Sequence, residues 1–362
     1  MKASLIMGIA LGTTLACSRS MLGVDDLGPE HVATNGQPLL CRPGDPPVVL
    51  ARANFVIWGN LAIGATHASW WNTENGEVYA APLTGGDAVR IGTGPDDPGF
   101  DGRVLFRDGD VLWSGDAKSF DWSGGSGGWI RTVTPGGAPA ILLQKLDNPV
   151  LLSATGDALT WATSTATAGA DGPYSYGIAQ RAADGAITTV PIGGVSGDKP
   201  LSRSRTALAG AALVVATTDT VATASLADGT STVLARGVAP WVVVADDASA
   251  YWLDSHRGGH SIVRAPLAGG GALTTIVPNV TGFVLGVAGN AVYFEDGSSI
   301  TKVSLADGAR STVLDAGAQD SSPHPGPSTG RVMAYGGMAA DIAFDASCVY
   351  VAYPNAIVRV PQ

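Results

Sequence analysis

Charge is scarce in this sequence, and histidine scarcer. Lys, Arg, Asp and Glu make up 14% of the 362 residues, with 31 acids against 21 bases and a net charge of −10. That balance gives no footprint for nucleic acid, which needs clustered Lys and Arg. No basic amphipathic segment offers itself to an anionic membrane surface. The five histidines include His31, which lies ahead of any periodic stretch, so a site built from converging imidazoles has little to draw on. No Gly-rich loop ending in Gly-Lys-Ser/Thr and no His-Glu-x-x-His occurs, which leaves nucleotide and zinc-protease chemistry without a signature. Glycine (49) and proline (22) are abundant, in a chain that is 45% hydrophobic. That suits a sizeable core of many short strands joined by turns, and excludes global disorder.

The first residues break the mixed pattern. Met1-Lys2 is a minimal positive segment, residues 3–14 are apolar or small, and Leu15-Ala16-Cys17-Ser18 follows. Residues 1–17 read as a secretory signal segment, too short to span a bilayer stably. The stretch resembles a bacterial lipoprotein lipobox, with Thr14 where that class prefers Leu. The resemblance implies acylation of Cys17 as the mature N-terminus, and Ser18 resembles the outer-membrane sorting class. Ordinary signal-peptidase cleavage is the alternative. Residues 18–40 are polar, Gly/Pro-punctuated and aperiodic, a flexible tether of roughly 25–30 Å root-mean-square reach. The expected location is the outer membrane, periplasmic or surface-facing, with lipid met only through the anchor.

From residue 41 onward one pattern returns. Its clearest copy is Ala250-Tyr251-Trp252-Leu253-Asp254, then Ser261-Ile262-Val263-Arg264-Ala265-Pro266-Leu267, then Ala268-Gly269-Gly270. The tight turns Thr84-Gly85-Gly86, Pro135-Gly136-Gly137, Ala183-Asp184-Gly185, Ala227-Asp228-Gly229 and Ala306-Asp307-Gly308 mark the other copies. Asp-Gly and Gly-Gly suit two-residue hairpin turns, where positive φ carries little strain. An alternating segment precedes each turn, and upstream of it lies an apolar pair: Trp70-Trp71, Leu112-Trp113, Thr160-Trp161, Val214-Val215, Tyr251-Trp252 or Tyr293-Phe294. A further strand candidate precedes each pair, as at 241–245 and 283–288. One unit therefore has four strands, A to D, and recurs about every 40–55 residues, the period of a β-propeller blade. A solenoid has a much shorter period, and a two-sheet sandwich needs no repeating order of motifs.

The ends of the chain complete the count. Residues 341–344, 348–351 and 356–361 supply strands A, B and C of a further unit, and no strand D follows. Near the start, Val49-Leu50-Ala51-Arg52 repeats Val233-Leu234-Ala235-Arg236, a strand D. Residues 41–362 thus read as a single all-β domain, a propeller of seven four-stranded blades with the N-terminal strand completing the last. A divergent or miscounted unit would make it six or eight. Cys41 precedes that strand and Cys348 lies on strand B of the same composite blade. A bridge between them would close a loop of about 300 residues, worth roughly 5–6 kcal/mol in the chain-entropy model. The other reading makes Cys348 a small buried hydrophobe and Cys41 a stray thiol.

Tyr251-Trp252-Leu253-Asp254 resembles the YWTD propeller repeat, and the continuation 262–270 is similar to repeats in uncharacterised secreted propeller proteins of myxobacteria and their relatives. The resemblance covers nearly all of residues 47–362. It implies a propeller, and for YWTD members six blades. It implies no ligand, because these folds host unrelated tasks.

Function is sought on one face. The A–B and C–D connections are short, whereas the B–C and D–A connections are longer and varied, and in a propeller these two sets emerge on the same face. Extra loop on one face only is the pattern of a binding surface; neutral drift on a tolerant rim is the other explanation. The B–C connections there offer Asp121 and Trp122 with Asp116, then Tyr174 and Tyr176 with Asp171, then Asp254, His256 and His260 with Arg257. Aromatic rings with short polar neighbours can stack on sugars or peptides at small ordering cost, or else pack the rim. His256 and His260 would share a face only on a helix, and Gly258-Gly259 places them in a hairpin loop, so no metal pair is assigned. Asp96, Asp97 and Asp101 could ligate Ca2+ through oxygen, but their spacing matches no known loop. His324 sits in a Pro/Gly/Ser-rich connection. No catalytic set and no cofactor are assigned. The first expectation is a monomeric, non-catalytic recognition or scaffolding module of the cell envelope, binding a protein, peptide or glycan on its long-loop face. The alternatives are a propeller enzyme, a metal-assisted lyase or hydrolase at the channel mouth, and a purely structural envelope protein.

Overall fold

The computed structural model describes residues 40–52, 60–72, 76–93, 103–115, 127–167, 173–255, 259–315, 339–354 and 356–362. Among these, 28 strands and one short 3-10 turn form seven four-stranded antiparallel sheets. Blade 1 is β2 (Ala62–Ile63), β3 (His67–Asn72), β4 (Glu77–Pro82) and β5 (Val89–Thr93). Blade 2 is β6 (Val104–Arg107), β7 (Asp110–Gly115), β8 (Gly128–Val133) and β9 (Ala140–Leu146). Blade 3 is β10 (Val150–Thr155), β11 (Ala158–Ala166), β12 (Tyr174–Arg181) and β13 (Ile187–Gly197). After the turn η1 (Arg203–Arg205), blade 4 is β14 (Thr206–Ala209), β15 (Ala212–Ala216), β16 (Thr220–Ser225) and β17 (Ser231–Arg236). Blade 5 is β18 (Pro240–Ala245), β19 (Ser249–Asp254), β20 (His260–Pro266) and β21 (Thr274–Val280). Blade 6 is β22 (Leu285–Ala288), β23 (Ala291–Asp296), β24 (Ser299–Ser304) and β25 (Arg310–Asp315). Blade 7 is β26 (Asp341–Phe344), β27 (Cys348–Tyr353) and β28 (Ala356–Pro361), finished by β1 (Val48–Arg52) from the other end of the chain. The structure is a seven-bladed propeller, so the six blades implied by the YWTD resemblance do not apply.

The closing ladder pairs Val48 with Arg359, Val49 with Val358, Ala51 with Ile357 and Arg52 with Ala356. Cys41 and Cys348 are joined by a disulfide in the same blade, with Cα atoms 5.4 Å apart. Strand and bridge act together, one covering the open edge of β28 and the other pinning the chain that leads into it.

The apolar pairs explain why the blades stack. Successive strand residues point to opposite faces of a sheet, and each strand B is sandwiched between two neighbouring blades. Trp70 packs into the cluster shared with blade 7, while Trp71 packs into the one shared with blade 2. Trp252 likewise faces blade 4 and Tyr251 faces blade 6. Both residues of a pair are therefore buried, and each large side chain contributes about 1.5–3 kcal/mol. Among the described residues the core is seven clusters between sheets.

Polar side chains divide by face. On the A–B and C–D side, aspartates make turns. Asp246 Oδ1 accepts the amides of Ala248 and Ser249 and Asp345 Oδ1 those of Ser347 and Cys348, while Tyr251 and Tyr350 donate to the other carboxylate oxygens at 2.7 and 2.6 Å. Asp184, Asp228 and Asp307 each accept the amide two residues on. These five aspartates are thus part of the turns themselves. Gly229 shows what these turns demand: φ is +70°, and a Cβ there would lie 2.0 Å from the Pro191 carbonyl oxygen.

On the opposite side, residues near the end of strand B receive amides that lead into strand A. Ser114 Oγ accepts from Arg103 and from Leu151 of the next blade, and Ser164 Oγ from Leu201 in the connection to the next blade. Glu295, buried at 1% exposure, accepts the amide of Ala339 at 2.7 Å and that of Phe283 at 3.4 Å. Burial raises its carboxyl above the usual range, opposed by these two donors.

Two outcomes test this account. Replacing Cys41 and Cys348 by Ser lowers the unfolding free energy read from urea denaturation by at most about 5–6 kcal/mol, with the loss reproduced by reductant on the unmodified protein. At Glu295 the folded state favours the protonated form, so that stabilisation is present below the ordinary carboxyl pKa and lost as pH rises through the raised one. E295Q, which keeps the acceptor for Ala339 and carries no charge, gains stability relative to the parent as pH rises above the ordinary carboxyl value. E295A strands two amides and loses about 1–3 kcal/mol throughout. Thermal melts against pH read both.

Candidate functional site

Of the residues expected on the long-loop face, Asp121, Trp122 and His256 lie outside the described residues, as do Asp96, Asp97, Asp101, Asp116, Asp171, Arg257 and His324. Tyr174 and Tyr176 are described, and they are interior. Tyr174 is 2% and Tyr176 4% exposed, both in the cluster between blades 3 and 4. The Tyr176 hydroxyl donates to the Lys199 carbonyl at 2.7 Å, and burial raises its pKa. Gly197 makes room for it, because a Cβ there would meet the hydroxyl oxygen at 2.1 Å. Asp254 is half-buried and accepts the Ala239 amide through Oδ1 at 3.0 Å, a bond within its own blade. These three shape the face from beneath.

His260 is at the surface, in different company from that expected. As the first residue of β20 it pairs with Val280 of β21; the register then shifts before Ile262 pairs with Val277. The shift is a bulge, and Asn279 within it has φ +57°, a left-handed conformation that Asn tolerates. The widened edge opens a recess lined by Ser255, Gly259, His260, Asn279, Val280 and Thr281. Ser255 Oγ and His260 Nδ1 are hydrogen-bonded at 2.9 Å.

Two aromatic side chains stand beside this recess. Phe283, in the connection entering blade 6, meets the His260 ring edge-on with centroids 4.9 Å apart and planes at 72°. Trp241, second residue of β18, meets Phe283 at 5.8 Å and 51°. Trp241 is 53% and Phe283 41% exposed, whereas Trp70, Trp71, Trp113, Trp129, Trp161 and Trp252 are buried. The reason is local. Pairing of β18 with β19 breaks between Pro240 and Val243, which takes Trp241 out of the ladder and turns it outward. The run Trp241-Val242-Val243-Val244 has no alternation to reveal this. The tilted rings of Trp241 and Phe283 reach the recess through His260, so exposed aromatic surface adjoins hydroxyl, amide and imidazole groups, an arrangement (the notch) suited to an apolar group flanked by polar ones. Among the described residues, no three His, Cys, Asp or Glu side chains gather where they could hold a metal ion.

No family model matches the chain, and no curated protein matches it. Solved structures do. The YCF48 structure bound to D1 peptide superposes with a TM-score of 0.57 at 11% identity, over 87% of this chain and 94% of the other. The Pan2 WD40 domain of Neurospora crassa gives 0.56 at 9%, over 87% and 95%. Virginiamycin B lyase from Staphylococcus aureus gives 0.53 at 13%, over 88% and 98%. At these identities the likeness concerns architecture alone, and the chain is a seven-bladed β-propeller similar in fold to proteins of different tasks.

Proposed function

We propose that the protein is a non-catalytic recognition or scaffolding module of the cell envelope that binds a protein, peptide or glycan on the face of its B–C and D–A connections. The exposed Trp241–Phe283–His260 notch carries this reading. A fold that buries its other described tryptophans between sheets has no packing reason to leave this one in solvent, and exposed aromatic clusters mark contact surfaces. Asp121, Trp122 and His256, on the B–C connections of the same face, are the further contacts this reading assigns. The peptide-bound YCF48 structure supports it only to the extent that a related fold can hold a peptide.

The same proposal places the domain outside the cytoplasm. The Cys41–Cys348 bridge suits an oxidising compartment, and Cys17 is assigned as the acylated anchor, with residues 18–40 as tether.

Binding is tested with purified protein on a random-peptide display and on a glycan array. W241A and F283A each weaken the selected ligand about 30-fold or more, the effect of a central aromatic anchor, and leave the melting temperature nearly unchanged because both rings are exposed. Undiminished binding by both variants would remove the notch from the site. Mass of the envelope-extracted protein, compared with that of C17A, reads the anchor.

A further inference from the structure

One set of contacts joins parts of the ring that are not neighbours. Residues 198–205 connect blade 3 to blade 4 and end in η1. From η1, the Arg203 guanidinium donates to Asp341 Oδ2 at the start of β26. Blades 4 and 7 stand three apart, the greatest separation in a ring of seven, so this pair is made over the channel mouth. The same Asp341 oxygen accepts the Leu61 amide leading into blade 1 at 2.7 Å. From blade 2, Arg103 donates to the carbonyls of Arg203 at 3.2 Å and Thr206 at 2.8 Å. Blades 1, 2, 4 and 7 are thus tied by one polar chain. Arg103 is 9% exposed, and the paired side chains of Arg203 and Asp341 are 23% and 10% exposed. A pair so shielded is not the weak kind found on open surface.

The turn that carries Arg203 also packs against β18, and β18 carries Trp241. Because the ladder breaks between Pro240 and Val243, pairing with β19 does not fix that residue. We propose that residues 198–205 form a strap, latched across the channel mouth by Arg203 and Asp341, and that the latched strap backs the start of β18 and sets the position of Trp241. Arg203 and Asp341 are then positioning residues for the notch. The functional weight of this inference rests on the recognition reading above, but its test needs no ligand.

The Trp241 signal is isolated as the difference in fluorescence between each protein and its W241F counterpart, and its accessibility is read by acrylamide quenching. R203Q and D341N raise the Trp241 quenching constant and shift its emission, while R203K, which keeps the charge, gives a smaller change. D341N removes the charge facing Arg203 and keeps one of the two oxygens that accept the Leu61 and Ile342 amides, and it serves should R203Q fail to fold. A latch that served stability alone would lower the melting temperature and leave the Trp241 component untouched, and that result overturns the proposal. The two readings fail separately. Lost binding in W241A with unchanged quenching in the latch variants removes the strap and keeps the recognition surface; changed quenching with undiminished W241A binding does the reverse.

Discussion

A four-stranded blade has two apolar faces and cannot cover either by itself. In this ring each face is covered by the next blade, and the seventh interface exists only if blade 7 is whole. β1 makes it whole. Its Leu50 and Ala51 enter the cluster that blade 7 shares with blade 1, alongside Trp70 and Tyr350. Without that strand the array would be an open arc with an unpaired edge on β28 and a half-covered sheet at blade 1, and the interfaces would no longer support one another around a closed circuit. The disulfide belongs to the same constraint, because it limits how far the closing strand can stray from the blade it completes.

Once the ring is closed, the two faces follow different chemistry. The turns of one face use aspartates as local hydrogen-bond acceptors, so these five acids are turn residues and not parts of a ligand site. The other face uses Ser114, Ser164 and Glu295 to receive amides from neighbouring blades. Its channel mouth is spanned by Arg103, Arg203 and Asp341. Trp241 and His260 lie on blade 5, where the strand pairing is interrupted by three register shifts, and Phe283 leads into blade 6 beside them.

The fold was legible because its signals repeat. Turn glycines, apolar pairs and alternating strands recur in order, and the missing last strand has a matching sequence at the other end. The site was less legible for reasons that lie in particular residues. Tyr174 and Tyr176 follow a loop-like run and look like contact residues, but β11 extends to Ala166 and pairs with Tyr174, so both are strand and core. Trp241 looks like one more inward residue of an apolar strand, and only a register shift takes it outside. The Arg203–Asp341 pair joins residues 138 apart and has no counterpart in the repeat, so no single unit could announce it.

The bridge at Cys41 also fixes a direction. Cys348 follows the A–B turn of blade 7, and the Cys41 amide donates to Ser347 in that turn. Residues 40 and 41 therefore enter the domain on the side of its A–B and C–D turns, opposite the face that carries Trp241, Phe283 and His260.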